Sequence, residues 1–449
     1  MAWDARIPDA YAHHLAALNE ARDIIAQRDI LNDSGALLIR GGEPLNASTV
    51  ARLMDHRLMR PLEHQVGVGK ALTGQELTEA IRKAWTRSPD LESVWPVLEQ
   101  TLPLAEWCAD VVVLPVIGQK LTVLADRLPD VFVQSCWCAG LAGFMALQMQ
   151  PPHAYWIFVS ALLQDTGYLH LDPATLTPGH SGYARAFNLH PVIAQVLLAQ
   201  VDALPKMVAR AVHEHHERSD GSGFPQGCTH EQISTAGRIL SVVNEVCRLR
   251  FRAYGGKLTL PDLHPVLRIK AAGHFRAGYE QVSGLLAGAG AATPRRRLSD
   301  EQVEALMEVL MARHTLLNAF FALGPELLES LRACRAQAGK TSHAMQVLEG
   351  AAQRLWFSVA ASGVLSDAIL RWIQHVNSDR LRAAYQEMEE IEVVQLEVVR
   401  QCIKLHVWLQ RVQRESAALP AATRLQALSA RMETLREGLA QCACGVTLS

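Results

Sequence analysis

From Val131 to Gln164 the chain carries no Asp, Glu, Lys or Arg. A run that long without charge has to be buried, in lipid or in a protein core. Gln134, Ser135, Gln148, Gln150, Pro151, Pro152 and His153 interrupt it, and no basic flank or aromatic belt brackets it. It therefore predicts two core helices broken at Pro151-Pro152, with no membrane insertion. The next residue is Asp165, a carboxylate at the end of an apolar helix, where an unpaired charge is costly unless a cation or a donor meets it.

A chain of 449 residues exceeds what one core supports, so two or three units are expected. Residues 1–75 read as a small α+β unit. In it Ile30-Leu31 and Ala36–Ile39 flank the turn Asn32–Gly35, and a helix over Asn46–Met59 places Val50, Leu53, Met54 and Leu58 on one face before Pro61. Residues 76–119 read as connecting helices punctuated by prolines, and 120–288 as the central helical domain. The stretch Leu286–Arg297, LAGAGAATPRRR, gives a linker placed at 289–298. A helical bundle over 299–449 then starts on a capping box, Ser299 with Gln302. Within it Ile391, Val394, Val398, Cys402, Leu405, Leu409 and Val412 recur at threes and fours, a stripe suited to a bundle core or to self-association. The fold class is mainly α, with a β-hairpin-plus-helix unit at the N-terminus.

Four features between 160 and 250 carry chemistry: Asp165, the pair His190-Pro191, the cluster His213–Arg218, and the turn Asp220–Pro225. Imidazoles and a carboxylate brought from separate helices suit a divalent transition metal such as Fe, Mn or Zn. His170, His180 and His230, each isolated, read as ordinary structural histidines. A net charge of −2 offers no global field for nucleic acid. Nine cysteines, with close pairs Cys136/Cys138 and Cys442/Cys444 but no C-x-x-C, read as reduced thiols of a cytoplasmic protein.

The segment HHERSDGSGFPQG, His215 to Gly227, resembles the HHE and GYP motifs of the HD-GYP domain, with Phe224 for the usual tyrosine. QDTGY at Gln164–Tyr168 resembles that family's HD-I-G-K motif, His190-Pro191 its HP, and Gly237–Val246 the helix that closes its site. HD-GYP domains are a subgroup of the HD phosphohydrolases, which in bacteria hydrolyse cyclic di-GMP. The resemblance implies a metal position made by Asp165, His190, His215 and His216, all present. It places the other position's ligands at Gln134, Gln164, Asp165 and Asn244, where three of four are neutral amides that bind such metals poorly. Asp130 matches an acidic position that some members use for a third metal. Tyr168 stands where the family has a phosphate-contacting lysine. Arg218, Asp220, Gly223, Phe224 and Tyr168 are the implied ligand contacts; apart from the family, Arg218 would pair with Asp220 and the glycines would serve the turn.

The expectation is a bacterial signalling protein with a degenerate HD-GYP domain, holding one metal ion or none. It would bind cyclic di-GMP or a protein partner with little or no hydrolysis. The alternatives are a metal-dependent phosphodiesterase using the remaining Asp/His site, and a scaffold whose C-terminal helices recruit a partner.

Overall fold

The computed structural model describes residues 4–442 apart from 178, 274, 290–297, 339–341, 380 and 382–383. Helices take 73% of the chain and strands 4%, so the mainly α expectation holds. The chain divides into two compact units. The first comprises Met1–Glu217, Gly223–Gln226 and Glu231–Cys247, and the second comprises Arg218–Ser222, Gly227–His230 and Arg248–Ser449.

The first unit opens with a helix, α1 (Ala10–Arg22), capped by the Asp9 carboxylate accepting from Tyr11 N at 2.9 Å. Strands β1 (Ile24–Ala26), β2 (Ile30–Leu31) and β3 (Leu37–Ile39), helix α2 (Ala47–Met54) and strand β4 (Val66–Val68) follow. The pair β2–β3 is the predicted hairpin, with Gly35 at φ 87° supplying the left-handed turn residue. The antiparallel pair β1–β4, Ile24 opposite Val68, was not expected: each strand is three residues long, and no local turn joins them. α2 is also shorter than the predicted Asn46–Met59. A capping box of Asn46 and Thr49 starts it, but it ends at Asp55. Leu58 N instead bonds Arg6 O and Met59 N bonds Leu31 O, so this segment finds its backbone partners outside a helix.

Prolines then set the rhythm of α3 (Gly74–Thr86), α4 (Pro89–Glu92), α5 (Trp95–Thr101), α6 (Leu104–Val112), α7 (Pro115–Arg127) and α8 (Pro129–Met149). Pro89, Pro96, Pro115 and Pro129 each occupy the first or second helical position, where the missing N–H costs nothing. α8 packs on α3 at Gly140, where a Cβ would fall 2.5 Å from Trp85 Nε1, the indole that donates to Trp137 O. A short 3-10 turn at Pro151–His153 breaks the charge-free run as predicted, and α9 (Ala154–Leu163) returns along α8. Helices α10 (Tyr183–Leu198) and α11 (Lys206–Glu214) and most of α12 (Thr235–Phe251) complete this unit.

The second unit contains α13 (Leu260–Gly273), α14 (Arg276–Ala289), α15 (Asp300–Ala322), α16 (Gly324–Ala338), α17 (His343–Ser362), α18 (Asp367–Ser378), α19 (Tyr385–Glu415) and α20 (Ala422–Gln441). Helix α14 absorbs the start of the predicted linker, while 290–297, and Cys444, lie outside the described residues. The Ser299/Gln302 capping box is present at 3.2 and 2.9 Å. The predicted stripe on α19 is buried against its own chain from Val394 to Val412, with Ile391 partly covered. α19 also buries charge on its other faces: Glu397 lies 2.8 Å from Lys270, and Glu392 lies 3.7 Å from Arg313. The buried apolar residues of this unit form two clusters, one around Leu310 and Met388 and one around Leu317 and Val398, and Ile391 packs against both. By length and composition α8 and the segment Asp300–Ala338 could each cross a membrane; 67% of the α8 window is buried in this fold and 39% of the other.

Candidate metal centre

Asp165, His190, His215 and His216 each offer a ligand atom, and these atoms all lie within 4.8 Å of one another. Local backbone chemistry explains how the imidazoles are aimed. Pro191 sits inside α10 and has no N–H, so the Phe187 carbonyl lacks its usual i+4 donor. His190 Nδ1 takes that carbonyl at 2.5 Å. α11 ends at Glu214, which leaves its last carbonyls without helical partners, and His215 Nδ1 takes Val212 O at 2.5 Å. A carbonyl only accepts, so both Nδ1 atoms carry protons, and in the neutral ring Nε2 is then the nitrogen with the lone pair.

Those two Nε2 atoms are 3.2 Å apart, and they lie 3.3 and 3.9 Å from Asp165 Oδ1. Two lone pairs at that distance repel unless a proton or a metal ion lies between them. Bonds of about 2.0–2.1 Å to one ion place neighbouring ligands roughly 3.0–3.4 Å apart, a spacing that His190 keeps to both His215 and Asp165, while the 3.9 Å from His215 to Asp165 is wider; the mixed imidazole and carboxylate chemistry of the set suits a divalent transition metal. Burial pushes the His215 imidazole down to about 4, reinforced by His190 and opposed by Asp165. It is therefore neutral at pH 7, the form that ligates. His216, half-buried, stacks on Phe224 with centroids 4.6 Å apart. Tyr168, in the place of the family's lysine, lies flat on His190 at 4.1 Å.

Beside this cluster the charge runs out. Gln164 is fully buried and forms a reciprocal amide pair with Asn244, Nε2 to Oδ1 at 3.2 Å and Nδ2 to Oε1 at 2.7 Å. The Cys138 thiol hydrogen-bonds Gln164 and Cys247, and burial pushes it far above the ordinary thiol range, so it stays neutral. Gln134 is half-buried on α8, and Asp130 is exposed in that helix's first turn.

The carboxylates of the His213–Arg218 cluster serve the framework. Glu214 accepts from Ser234 N at 2.9 Å and Arg210 Nε at 2.7 Å; a Cβ on Gly237 would fall 2.2 Å from its Oε2, so only glycine admits α12 there. Glu217, fully buried, accepts from Gln226 N at 2.7 Å. Of the implied ligand contacts, Tyr168, Gly223 and Phe224 belong to the first unit, and Arg218 and Asp220 to the second. Gly221 and Gly227 take left-handed backbone, at φ 74° and 68°. Asp220 accepts from Ser222 N at 2.9 Å and stands 3.7 Å from Arg354 of α17, a partner that the sequence did not suggest.

A family model described as HD domain matches residues 121–261. The chain carries an HD domain. Its metal-ligand candidates all fall within that match. Over 92 residues the chain is 34% identical to a "3'3'-cGAMP-specific phosphodiesterase 3" of Vibrio cholerae, an alignment covering 20% of each protein. Among solved structures it is similar to Bd1817, a HDG"Y"P protein from Bdellovibrio bacteriovorus, at 16% identity and a TM-score of 0.32, covering 59% of this chain and 95% of that one.

His170, isolated in the sequence, is a hydrogen-bonded framework histidine. It is buried, between Lys120 and Asp9. Its position five residues after Asp165 was the available signal.

Proposed function

We propose that this chain is a signalling protein whose HD domain holds a single divalent transition metal and binds a cyclic dinucleotide with little or no hydrolysis. What carries the reading is a contrast between neighbours. Asp165, His190, His215 and His216 form a donor set that includes a carboxylate and in which His190 and His215 each have Nδ1 held by a backbone carbonyl, whereas Gln164 and Asn244 satisfy each other as neutral amides. The first four would hold the ion. A bound ion there lowers the pKa of water and polarises a phosphoryl oxygen. The second ion that would share the developing charge of a phosphodiester has only neutral amide ligands at three of its four positions, and Tyr168 brings no charge in place of lysine. Each missing element of that kind costs about 10²-fold or more in rate.

A cyclic dinucleotide fits the remaining features. Phe187 and Phe224, 5.2 Å apart beside His216, offer aromatic faces on which a purine base can stack. The Vibrio cholerae relative, named for a cyclic dinucleotide, supports the same ligand class. Turnover by the surviving site is the second reading, favoured by the intact set of four donors.

Purified protein supplied with Mn(II) separates the two when cyclic di-GMP is followed by calorimetry and by product formation. Binding without product is expected. Hydrolysis that disappears in His215→Ala would overturn the binding-only reading, and neither binding nor hydrolysis would remove the nucleotide altogether.

A further inference from the structure

Away from the metal donors, the first unit buries a chain of charged and polar groups. His170 Nε2 lies 3.0 Å from Lys120 Nζ, and its Nδ1 lies 3.0 and 3.1 Å from the two Asp9 oxygens. An ammonium only donates, so Nε2 accepts, and Nδ1 carries the proton that it gives to Asp9. Lys120, 1% exposed, also stands 3.4 Å from Glu63, itself 3% exposed, and 4.3 Å from the ring centroid of Tyr11. Tyr11 stacks on His170 at 4.8 Å and donates to Gln119 Oε1 at 2.9 Å. Burial is the strongest single influence on the Glu63 carboxyl and works to raise it, but Lys120, His170, a backbone hydrogen bond and His64 together leave the group below its ordinary value. Asp9, Tyr11 and Glu63 come from the first 75 residues; Lys120 is on α7.

Two buried charges, a half-buried carboxylate and a buried imidazole are an expensive way to join two surfaces. Apolar residues of similar volume often do as well or better, and what a buried polar network adds is a single allowed seating. The seat here is the 3-10 turn Thr166–His170. With three residues per turn, Asp165 and Tyr168 share one face of it and His170 lies off that face. On the shared face Tyr168 stacks on His190. Gly167 lets the turn press against the same helix, since a Cβ there would fall 2.0 Å from His190 O. The turn, which begins at Asp165, is thus held by the N-terminal residues through His170 and by His190 through Gly167 and Tyr168.

We infer that the N-terminal unit sets the geometry of the metal centre through His170, a positioning residue that touches neither metal nor nucleotide. The inference rests on the one-metal reading above. It assigns the Asp9–His170–Lys120–Glu63 chain a role in metal affinity in addition to stability.

Cobalt(II) titration of the full chain, followed by its visible absorption and by calorimetry, tests this. His170→Leu and Asp9→Ala are expected to weaken cobalt binding by roughly 10- to 100-fold, as loss of an orienting partner does. Asp9→Asn keeps an acceptor for Nδ1–H and is expected to restore most of the affinity. Leu15→Ala, a fully buried change on the same helix as Tyr11, measures general loosening and is expected to leave affinity and absorption unchanged while lowering Tm. Wild-type affinity in both relay variants, or equal weakening in Leu15→Ala, would overturn the inference alone. Failure of the wild-type chain to bind cobalt would overturn the metal reading and the inference with it.

Discussion

Because Pro191 offers no N–H, the Phe187 carbonyl is left to fix the His190 tautomer, and the end of α11 does the same for His215 through Val212. The chemistry of the site is therefore written in backbone vacancies as well as in side chains. The same reasoning makes the Gln164–Asn244 pair informative, because each amide uses the other's donor and acceptor and neither has a charge to give. Restoring charge at those positions should restore what the pair excludes. We expect the triple variant Gln134→His, Gln164→His, Asn244→Asp to take up a second metal equivalent and to gain about 10²-fold or more in cyclic di-GMP hydrolysis. Metal uptake without any gain in turnover would show that more than the second ion is missing. That Asp165, His190, His215 and His216 come together could be read from the sequence because their order and local context resemble a family's motifs. The place of His170 could not, since a solitary histidine reads as background until Lys120 and Asp9, which are far from it in the chain, are seen on either side of it.

Helices begin and end in this protein where local chemistry says they should. Pro89, Pro96, Pro115 and Pro129 open helices, Asn46 and Ser299 cap them, and Pro151-Pro152 divides the charge-free run. What could not be read were pairings made by distant segments: the β1–β4 pair, and the early end of α2 where Leu58 and Met59 find backbone partners in Arg6 and Leu31. α1 carries a pH response of its own. His14 is buried, and burial pushes its imidazole from 6.5 to about 4, helped by Arg127, whose Nε approaches Nδ1 at 3.4 Å. With the folded value below the unfolded one, the unfolded chain binds more protons between about pH 6.5 and pH 4, so stability present above that window is lost as pH falls through it. Urea unfolding of wild type and His14→Gln across this window is expected to show a shallower loss in the variant; equal slopes would show that His14 is protonated in the fold.

At the level of the whole chain, the compact units do not follow the composition of the sequence. The expected boundary was the Gly/Ala/Arg stretch, yet α13 and α14 belong with the C-terminal helices, and the division falls within α12. Composition marks where a chain is poor in apolar pattern, whereas units form where buried faces meet, as Lys270 of α13 meets Glu397 of α19. Most of the C-terminal stripe, from Val394 to Val412, is covered by its own unit. The function proposed here depends on one number above all others, the count of metal ions per chain. Purified wild-type protein reconstituted with Mn(II) or Fe(II) and desalted is expected to retain one equivalent by elemental analysis, and His215→Ala none. Two equivalents in the wild-type chain would contradict the account, because the Gln164–Asn244 side of the site would then hold an ion of its own.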